Sequence, residues 1–285
     1  MFDRLRMLFS LLYKDKMMLL GFVIILVFVF IAIFAPFVSP NDPFYVDLSQ
    51  RHAGPSLQFP LGSDLLGRCL LSRLIFGART SLSVAAICLG LIMTLSILVG
   101  TIAGYFGGKL DAVLMRLIDI LLSVPDIVLT LAIVGMLGPG LTNVIIGMVS
   151  VRWLNYARVI RGSVMSVKNK NYVMSARAAG ISDFAIMFKH ILPNIVSPMV
   201  VMATLDMGNL IISLAGLSFL GLGAQPPTPE WGMMVNDGRR FLMTHPSQMF
   251  YPGLAILIVV IAFNLLGDGL RDALDPKLTN SKLRR

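Results

Sequence analysis

Long apolar runs alternate with shorter polar intervals along the whole chain. A helix needs about 20 mostly apolar residues to cross the roughly 30 Å of hydrocarbon in a bilayer. Several runs reach or approach that length, and the first two carry no charged residue. We therefore predict six transmembrane helices, at residues 17–40, 80–108, 114–137, 141–160, 191–221 and 251–267, in an all-α integral membrane protein. Residues 138–140 predict a tight turn between the third and fourth helices, and Gly100, Gly104 and Gly108 predict a small-residue stripe on the second, on which another helix can pack closely.

The amino-acid composition supports this class. Of 285 residues, 56% are hydrophobic and only 14% are charged, a balance too apolar for a soluble domain of this size. The net charge of +9 does not indicate nucleic acid, because no stretch interleaves basic and aromatic residues. Cys69 and Cys88 indicate neither a disulfide framework nor a zinc pair, since Cys88 lies in an apolar run. The first apolar run is too long for a signal peptide and predicts an uncleaved helix.

The placement of lysine and arginine predicts the orientation in the membrane. With the N-terminus placed inside, the inner segments hold 17 of the 24 basic residues and the outer segments hold 6, while Arg152 lies within a span. Cytoplasmic loops carry the excess of positive charge in membrane proteins, so both termini are expected in the cytoplasm. The polar interval at 161–190 then lies on the same side.

A stretch of small and basic residues, 172–194, closes that interval and reads YVMSARAAGISDFAIMFKHILPN. Small side chains followed by Gly180 favour a short helix, a break and a second short helix. Pro193 is expected to open the next apolar helix, where a missing N–H costs little. A basic amphipathic loop lying on the bilayer surface is the alternative.

This stretch resembles the cytoplasmic loop that the membrane subunits of binding-protein-dependent ABC importers insert into a cleft of their ATPase. The family's loop reads Glu-Ala-Ala, three residues, Gly and later Leu-Pro, a frame matched by Ala176, Gly180, Leu192 and Pro193. Met174 stands where the glutamate is usual. The resemblance assigns ATPase coupling to Tyr172, Ser175, Ala176, Arg177, Gly180, Lys189, His190 and Pro193.

Further motifs are similar to the dipeptide, oligopeptide and nickel permeases, and to their second, C-type subunit. They are LGSDLLGR (61–68), GARTSL (77–82), LSFLGLG (217–223), PTPEWG (227–232) and FNLLGDGLRDALDP (263–276). The resemblance implies a type I ABC importer permease fold with six transmembrane helices. The expected divisions are a cytoplasmic segment 1–16, a first helix with an extracytoplasmic amphipathic loop 17–79, a five-helix core 80–274 with a coupling loop 161–190, and a cytoplasmic tail 275–285.

The resemblance also implies the partners. These are a homologous second permease forming a heterodimer, two ATPase subunits that bind ATP and Mg, an extracytoplasmic substrate-binding protein, and the bilayer of a bacterial cytoplasmic (inner) membrane. This chain is expected to be a transport subunit that binds no cofactor, and not an enzyme. Residues 108–110 only partly match a phosphate loop, because the Ser/Thr, the preceding strand and the glycine spacing are missing. There is also no HExxH or GxSxG pattern and no histidine in a predicted span.

Three features of the sequence bear on the identity of the substrate. Peptide permeases usually carry a glutamate three residues before LSFLGLG, where this chain has Leu214. The runs 140–147 and 203–209 look more like the nickel permeases. We therefore predict transport of nickel or a small metal chelate, with di- or oligopeptides as the alternative. A channel or membrane scaffold without ATP coupling is the alternative of another class.

Polar residues inside predicted spans are candidates for the translocation pathway, because burying them in lipid is costly. Asp206 lies near the middle of the fifth span, with Asn209 one turn on. They could line a path for a cation or chelate, or form a structural pair between helices. Arg152 and Asn155 of the fourth span are further candidates, and Arg152 could snorkel or pair with Asp206. No histidine has a second ligand at metal spacing, so no resident metal site is expected.

Two long outer loops, 41–79 and 222–250, complete the sequence-based picture. Leu65, Leu66, Leu70, Leu74 and Ile75 recur at helical spacing and predict an amphipathic helix on the outer membrane surface. Trp231 in the second loop is expected to anchor at the interface. Packing on the membrane surface and docking of an external binding protein remain equal alternatives for both loops.

Overall fold

The structure, a computed structural model, describes residues 15–274 and is built from helices joined by turns. Within these residues there is no β-strand beyond one isolated bridge between Ser63 and Cys69. The predicted terminal segment 275–285 and all but the end of 1–16 lie outside the described residues. The helices are α1 (Lys16–Ile33), α2 (Ala35–Val38), α3 (Leu70–Phe106), α4 (Gly108–Leu122), α5 (Asp126–Leu137), α6 (Leu141–Lys168), α7 (Asn171–Ala178), α8 (Asp183–Ile186), α9 (Leu192–Phe219), α10 (Trp231–Arg239) and α11 (Ser247–Leu274).

The all-α membrane class is confirmed, whereas the count of six spans stays a prediction. Among the described residues, four helical runs are long and apolar enough to cross a bilayer: Lys16–Ile33, Leu70–Phe106, Asp183–Phe219 and Ser247–Ala273. A bent pair, α4 and α5, gives a fifth if it counts as one span. The helix α6 has 28 residues but does not belong to this apolar set, because polar side chains interrupt it repeatedly.

The helix α3 corrects the boundary predicted after Arg79. It begins at Leu70 and continues for 37 residues, which is about 55 Å at 1.5 Å per residue and far more than the hydrocarbon thickness. Arg73 and Arg79 suggested a separate surface helix before the span. The first of these arginines is buried against protein, so the helix extends through it without placing that charge in lipid.

The third predicted span is also wrong in its geometry. Instead of one helix over 114–137, α4 starts earlier, at Gly108, and meets α5 at an angle of 83°. Pro125 removes one N–H from the ladder, and Asp126 begins α5 by accepting the backbone N–H of Ile127 at 2.7 Å. The predicted turn at 138–140 is confirmed, with positive φ angles at Gly138 and Gly140.

The described chain forms two compact units. The first holds residues up to Ile87, Val134–Ile145 and residues from Thr204, and the second holds Cys88–Ile133 and Ile146–Ala203.

In the first unit, α1 packs on α11 through glycines that leave no room for a side chain. A Cβ on Gly21 would lie 2.6 Å from the carbonyl oxygen of Ala262, and one on Gly269 would lie 2.5 Å from Cβ of Met18. A Cβ on Gly267 would meet the side chain of Leu205 at 2.5 Å. The glycines of the motif 263–276 therefore permit close helix packing, which is the usual role of small residues in membrane helices.

In the second unit, Gly100 and Gly104 hold α3 against α6. A Cβ on these residues would lie 2.6 Å from the carbonyl oxygen of Ala157 and 2.8 Å from that of Arg161, respectively. The small-residue stripe predicted for α3 is confirmed at these two positions. Gly108 does not belong to the stripe, because it starts α4 with a positive φ and a Cβ there would meet nothing within 4 Å.

Candidate coupling site and translocation residues

The coupling loop folds as a helix, a break and a second helix, as predicted. The first helix, α7, ends at a glycine cap: Gly180 has φ +77°, its N–H donates to Arg177, and the N–H of Ile181 donates to the carbonyl of Ala176 at 3.2 Å. This pattern satisfies the last carbonyls of the helix and reverses the chain. Ser182 then caps α8 by accepting the N–H of Ala185.

The second helix differs from the expectation, because it runs without a break into the next span. A π turn, Met187–Ile191, joins α8 to α9, and the N–H of Leu192 donates to the carbonyl of Met187. Pro193 has no N–H to donate, and the wider π turn accommodates it. Pro193 is the second residue of α9, as expected for a proline that opens a helix, although the π turn makes the helical run continuous from Asp183 to Phe219.

One face of the coupling loop is anchored in an apolar cluster of the second unit. Val173 and Ala176 of α7, and Ile186, Met187 and Ile191 of the following run, are all buried. They pack against residues of α3, α6 and α9, namely Tyr105, Ile160, Val164, Ile195 and Met199. Ala176, which the resemblance assigned to ATPase coupling, points into this cluster and holds the loop in place.

Tyr105, at the end of α3, also ties the two short helices together. Its hydroxyl donates to the carboxylate of Asp183 in α8. The guanidinium of Arg177 in α7 lies 5.4 Å from the centre of the same ring. A hydrogen bond to the Tyr105 hydroxyl raises the pKa of Arg177 above its usual value. Both sides of the break are thus fixed to one side chain.

The base of the loop is fixed by charged contacts as well. Lys168, the last residue of α6, donates to the carbonyls of Gly104 and Tyr105 at 2.9 and 3.1 Å, which satisfies the end of α3. Arg161 pairs with Asp111 of α4 through two hydrogen bonds. The loop therefore emerges from a braced set of helices.

The opposite face of the loop exposes five large apolar side chains. Their exposed fractions are 44% for Tyr172, 53% for Met174, 37% for Ile181, 69% for Phe184 and 61% for Phe188. They lie in a segment that is otherwise polar and basic. Patches of this kind mark contact sites with other molecules.

Sequence reasoning singled out only Tyr172 of this face. Helical spacing could have identified this exposed face, because Phe184 and Phe188 are four residues apart and lie on the same side of a helix. Ile186 and Met187, between them, face inward. Ser175, Arg177, Gly180, Lys189 and Pro193 are exposed as a coupling role requires, and His190 is half-buried.

The comparison with known proteins decides what this arrangement belongs to. Residues 96–280 match the family described as the inner membrane component of binding-protein-dependent transport systems, and residues 4–55 match the N-terminal transmembrane domain of oligopeptide transport permease C. The chain belongs to this permease family. Its members are subunits of ABC importers that do not hydrolyse ATP themselves, since the ATPase is a separate subunit.

Three relatives of the permease have nearly equal sequence identity to it and are named for the transport of different substrates. The dipeptide permease DppC of Alkalihalophilus pseudofirmus is 42% identical, covering 95% of this chain and 89% of its own. The nickel permease NikC of Escherichia coli K12 is 42% identical, covering 91% and 94%. The glutathione permease GsiD of Escherichia coli O6:K15:H31 is 43% identical, covering 93% and 88%. The family implies an ATPase and a substrate-binding protein as partners of the permease.

The translocation candidates of the permease lie on two helices. Asp206 and Asn209 share one face of α9, where the Asn209 amide donates to the Asp206 carboxylate at 3.4 Å. Asp206 is half-buried and Asn209 is exposed. On α6, Arg152 is half-buried and Asn155 is exposed. The pairing of Arg152 with Asp206 stays a prediction.

Two motifs of the permease, 61–68 and 227–232, meet in one buried cluster of the first unit, together with Arg73 of α3. We name Asp64, Arg68, Arg73, Glu230 and Trp231 the loop cluster. The carboxylate of Asp64 accepts the Nε–H of Arg68 at 2.7 Å and forms an ion pair with Nε of Arg73 at 3.4 Å. It also accepts the backbone N–H groups of Leu66 and Arg68.

The second half of the loop cluster corrects the role predicted for Trp231. This side chain is fully buried instead of anchoring at an interface. Its indole N–H donates to the carbonyl of Leu74 at 3.0 Å, and the ring covers Gly77, where a Cβ would lie 2.8 Å away. Glu230 caps α10 by accepting the N–H groups of Gly232 and Met233, both at 2.9 Å.

The amphipathic surface helix predicted before Arg79 is wrong for a related reason. Leu65 and Leu66 lie in a turn built by the Asp64 carboxylate, and helix α3 starts only at Leu70. Arg68 and Arg73 point into protein and not towards lipid headgroups. These motif residues pack the loops against one another.

Proposed function

We propose that the permease forms half of an ATP-driven import pathway and receives the ATPase on the exposed face of its coupling loop. One observation carries this proposal: large apolar side chains stand exposed on a segment whose other face is firmly anchored. The loop is well suited to transmit movement, because Tyr105 and the buried cluster fix it to α3, α6 and α9. A heterodimer with a second permease and a pair of ATPase subunits complete the proposed complex, with both termini and the coupling loop in the cytoplasm.

The path of the movement follows from the helix continuity. The run Asp183–Phe219 carries Phe184 and Phe188 near its start and Asp206 and Asn209 further along. A helix transmits displacement along its axis, so pushing on α8 shifts the polar face of α9. This supports alternating access driven from the coupling loop, with these two polar residues lining the pathway.

The test is a double substitution, Phe184→Ala with Phe188→Ala, in the assembled transporter. We expect loss of ATPase association and of substrate uptake, with unchanged membrane insertion. Phe37→Ala is the matched control, since Phe37 is 86% exposed but lies on α2. ATPase co-purification is the readout. If the double variant still co-purified fully with the ATPase, the coupling proposal would be wrong.

For the substrate, we propose nickel or a small metal chelate. Support comes from the carboxylate and amide of Asp206 and Asn209 on one helical face, which suit a cation or chelate. Di- or oligopeptides are the second candidate, favoured by the similar identity of the dipeptide and glutathione relatives. Binding of labelled nickel, nickel chelates and short peptides to the cognate substrate-binding protein separates the two. Binding of peptides alone would contradict the metal proposal.

A further inference from the structure

One face of α6 is mostly polar and exposed along the half of the helix that leads into the coupling loop. Asn155, Arg158, Gly162 and Ser166 follow one another at spacings of three and four residues, which places them on one side of a helix. All four are exposed in the second unit, and Val159 is the apolar residue among them. Such a face is costly against lipid hydrocarbon, so it favours contact with water or with a polar molecule.

Two members of this face are not explained by contacts within the chain. The amide of Asn155 makes no hydrogen bond to any residue of 15–274, and an amide without a protein partner needs water. Glycine destabilises the interior of a helix, yet a Cβ on Gly162 would meet nothing within 4 Å. Both observations favour a polar passage beside α6.

Asp119 of α4 adds a carboxylate to this face. Its Oδ1 accepts a hydrogen bond from Nη2 of Arg158 at 2.5 Å. The two side chains are 56% and 48% exposed, respectively. Among the described residues this is the one hydrogen bond that either side chain makes. The second carboxylate oxygen and most of the guanidinium N–H groups are therefore available to another molecule.

A second ion pair between the same two helices has a different character. Arg161 donates to both carboxylate oxygens of Asp111, and these side chains are only 27% and 13% exposed. An apolar cluster holds α4 on α6 nearby. A shielded, bidentate pair fixes two helices, whereas a single exposed contact adds little stability and opens easily. The Arg158–Asp119 pair is therefore not needed to hold α4 in place.

We propose that the Arg158–Asp119 pair is a relay point of the translocation pathway, where a positively charged group of the substrate replaces Arg158 on the Asp119 carboxylate. Asn155 and Gly162 form the adjacent wall of the pathway. The inference rests on the proposed function, because it needs an import pathway beside the coupling loop. Charged side chains within membrane-spanning regions pair with one another and mark the routes of ions and substrates.

Thiol labelling tests whether this face lies in a water-filled pathway. In the assembled transporter, Asn155→Cys should react about tenfold faster with a small charged thiol reagent than Leu117→Cys, because an apolar environment suppresses the reactive thiolate. Leu117 is the matched control, since it is 54% exposed but lies two residues from Asp119, on the far side of α4. Equal reaction rates at the two positions would overturn the inference.

Uptake by the whole transporter tests the role of the carboxylate. Asp119→Asn should lower the maximal uptake rate by about tenfold or more, the scale of one charged hydrogen bond. Asp119→Glu keeps the charge and should restore most of the rate. A role in shape alone predicts the opposite order, because asparagine matches aspartate in size and glutamate does not. Normal uptake with Asp119→Asn, or an equal loss with Asp119→Glu, would contradict the relay.

Asp111→Asn is the matched control for the ion pair, because it changes the other carboxylate of α4. It should lower the unfolding midpoint of the permease in detergent more than Asp119→Asn does. Its uptake rate per folded transporter should fall less. If both variants lost uptake equally per folded transporter, the pairs would act alike as braces, and the relay would be wrong.

The choice of substrate separates the sources of positive charge. Nickel ion, a nickel chelate and a short peptide with a free or an acetylated N-terminus are offered together with the cognate substrate-binding protein. A loss in Asp119→Asn for nickel supports relay of a metal cation, and a loss confined to the free peptide supports relay of an ammonium group. An equal loss for the acetylated peptide would overturn the relay. If the unaltered transporter imports none of these with ATP, the proposed function itself fails.

Discussion

Family motifs occur in both the loop cluster and the coupling loop, and the two regions differ in where those side chains point. In the loop cluster, Asp64, Arg68 and Trp231 are buried and satisfy one another or the nearby backbone. In the coupling loop, one face packs in an apolar cluster, and Phe184 and Phe188 are exposed on the opposite face. A motif in the first region maintains the fold, whereas we propose that the motif in the second region presents a surface to the ATPase.

This difference gives opposite expectations for substitution. Changes in the loop cluster should reduce stability and act on transport only through folding. Changes on the exposed face of the coupling loop should leave stability intact and act on transport directly. Each experiment below measures both quantities, because a single readout does not separate the two regions.

The largest effect on stability is expected for Trp231→Ala. Removing a fully buried indole leaves a cavity and an unpaired carbonyl on Leu74, and such changes typically cost about 3–5 kcal/mol. Unfolding of the purified permease in detergent measures the loss. Met243→Ala serves as the control, since 95% of Met243 is exposed. Similar midpoints for both variants would show that Trp231 is not part of a core.

A smaller loss is expected for Glu230→Ala. The substitution leaves the N–H groups of Gly232 and Met233 and the hydroxyl of Ser81 without their acceptor. A buried donor left unsatisfied costs about 1–3 kcal/mol. Glu230→Gln keeps one acceptor oxygen and should fall between the alanine variant and the unaltered protein. The same unfolding assay applies, and a gain in stability for either variant would contradict the capping role.

Substitutions of Gly180 in the coupling loop should separate effects on stability from effects on transport. Gly180 has φ +77°, but a Cβ there would meet nothing within 4 Å. Both Gly180→Ala and Gly180→Trp should therefore cost about 1 kcal/mol of stability, through backbone strain alone. Only the tryptophan variant should abolish uptake, because its bulk would meet the ATPase. Normal uptake with Gly180→Trp would argue that nothing docks there.

The smallest effect is a pH dependence from the loops of the first unit. His52 stacks on His245 at 4.3 Å, and its Nδ1 accepts from the amide of Gln248 at 2.7 Å. The amide orientation is fixed because the same nitrogen donates to the carbonyl of Ser63. His52 must therefore be neutral in this arrangement.

Burial is the first cause that lowers the pKa of His52 below 6.5, followed by the charges of His245 and Arg51, while Asp64 raises it. Below pH 6.5 the unfolded chain binds a proton that the folded protein resists, so stability should fall as the pH drops through this window. His52→Gln should flatten that part of a stability–pH profile. A steeper fall in the variant would contradict the assignment.

The apolar pattern predicted the described fold well where long runs dominate. The first helix, the turn at 138–140 and the packing of Gly100 and Gly104 all follow from composition and small-residue spacing. The start of α3 was not predicted correctly, because an arginine indicates the end of a membrane helix unless the residue that pairs with it is known. Asp64, the partner of Arg73, is nine residues away and belongs to a turn.

The candidate site was predicted in outline but not in its contact face. The small residues followed by Gly180 predicted the helix–break–helix correctly. The resemblance, in contrast, assigned Ala176 to the partner although this residue is buried. The sequence offers no direct sign of which side of an eight-residue helix packs inward. Tyr105 and Asp183, which fix that side, are 78 residues apart. The continuity of α8 with α9 was not predicted, because Pro193 indicates the start of a helix and a π turn can precede it without a break.

The central claim is that the exposed face of the coupling loop contacts the ATPase. Cross-linking tests it most directly, with Phe184→Cys on the coupling loop and Leu57→Cys as a fully exposed position in the first unit. Cys69 and Cys88 are buried and should contribute little background. We predict that a short thiol cross-linker joins Cys at position 184, but not at position 57, to the ATPase in sealed membrane vesicles. Cross-linking from position 57 alone, or labelling of position 184 only from outside the cell, would contradict the account.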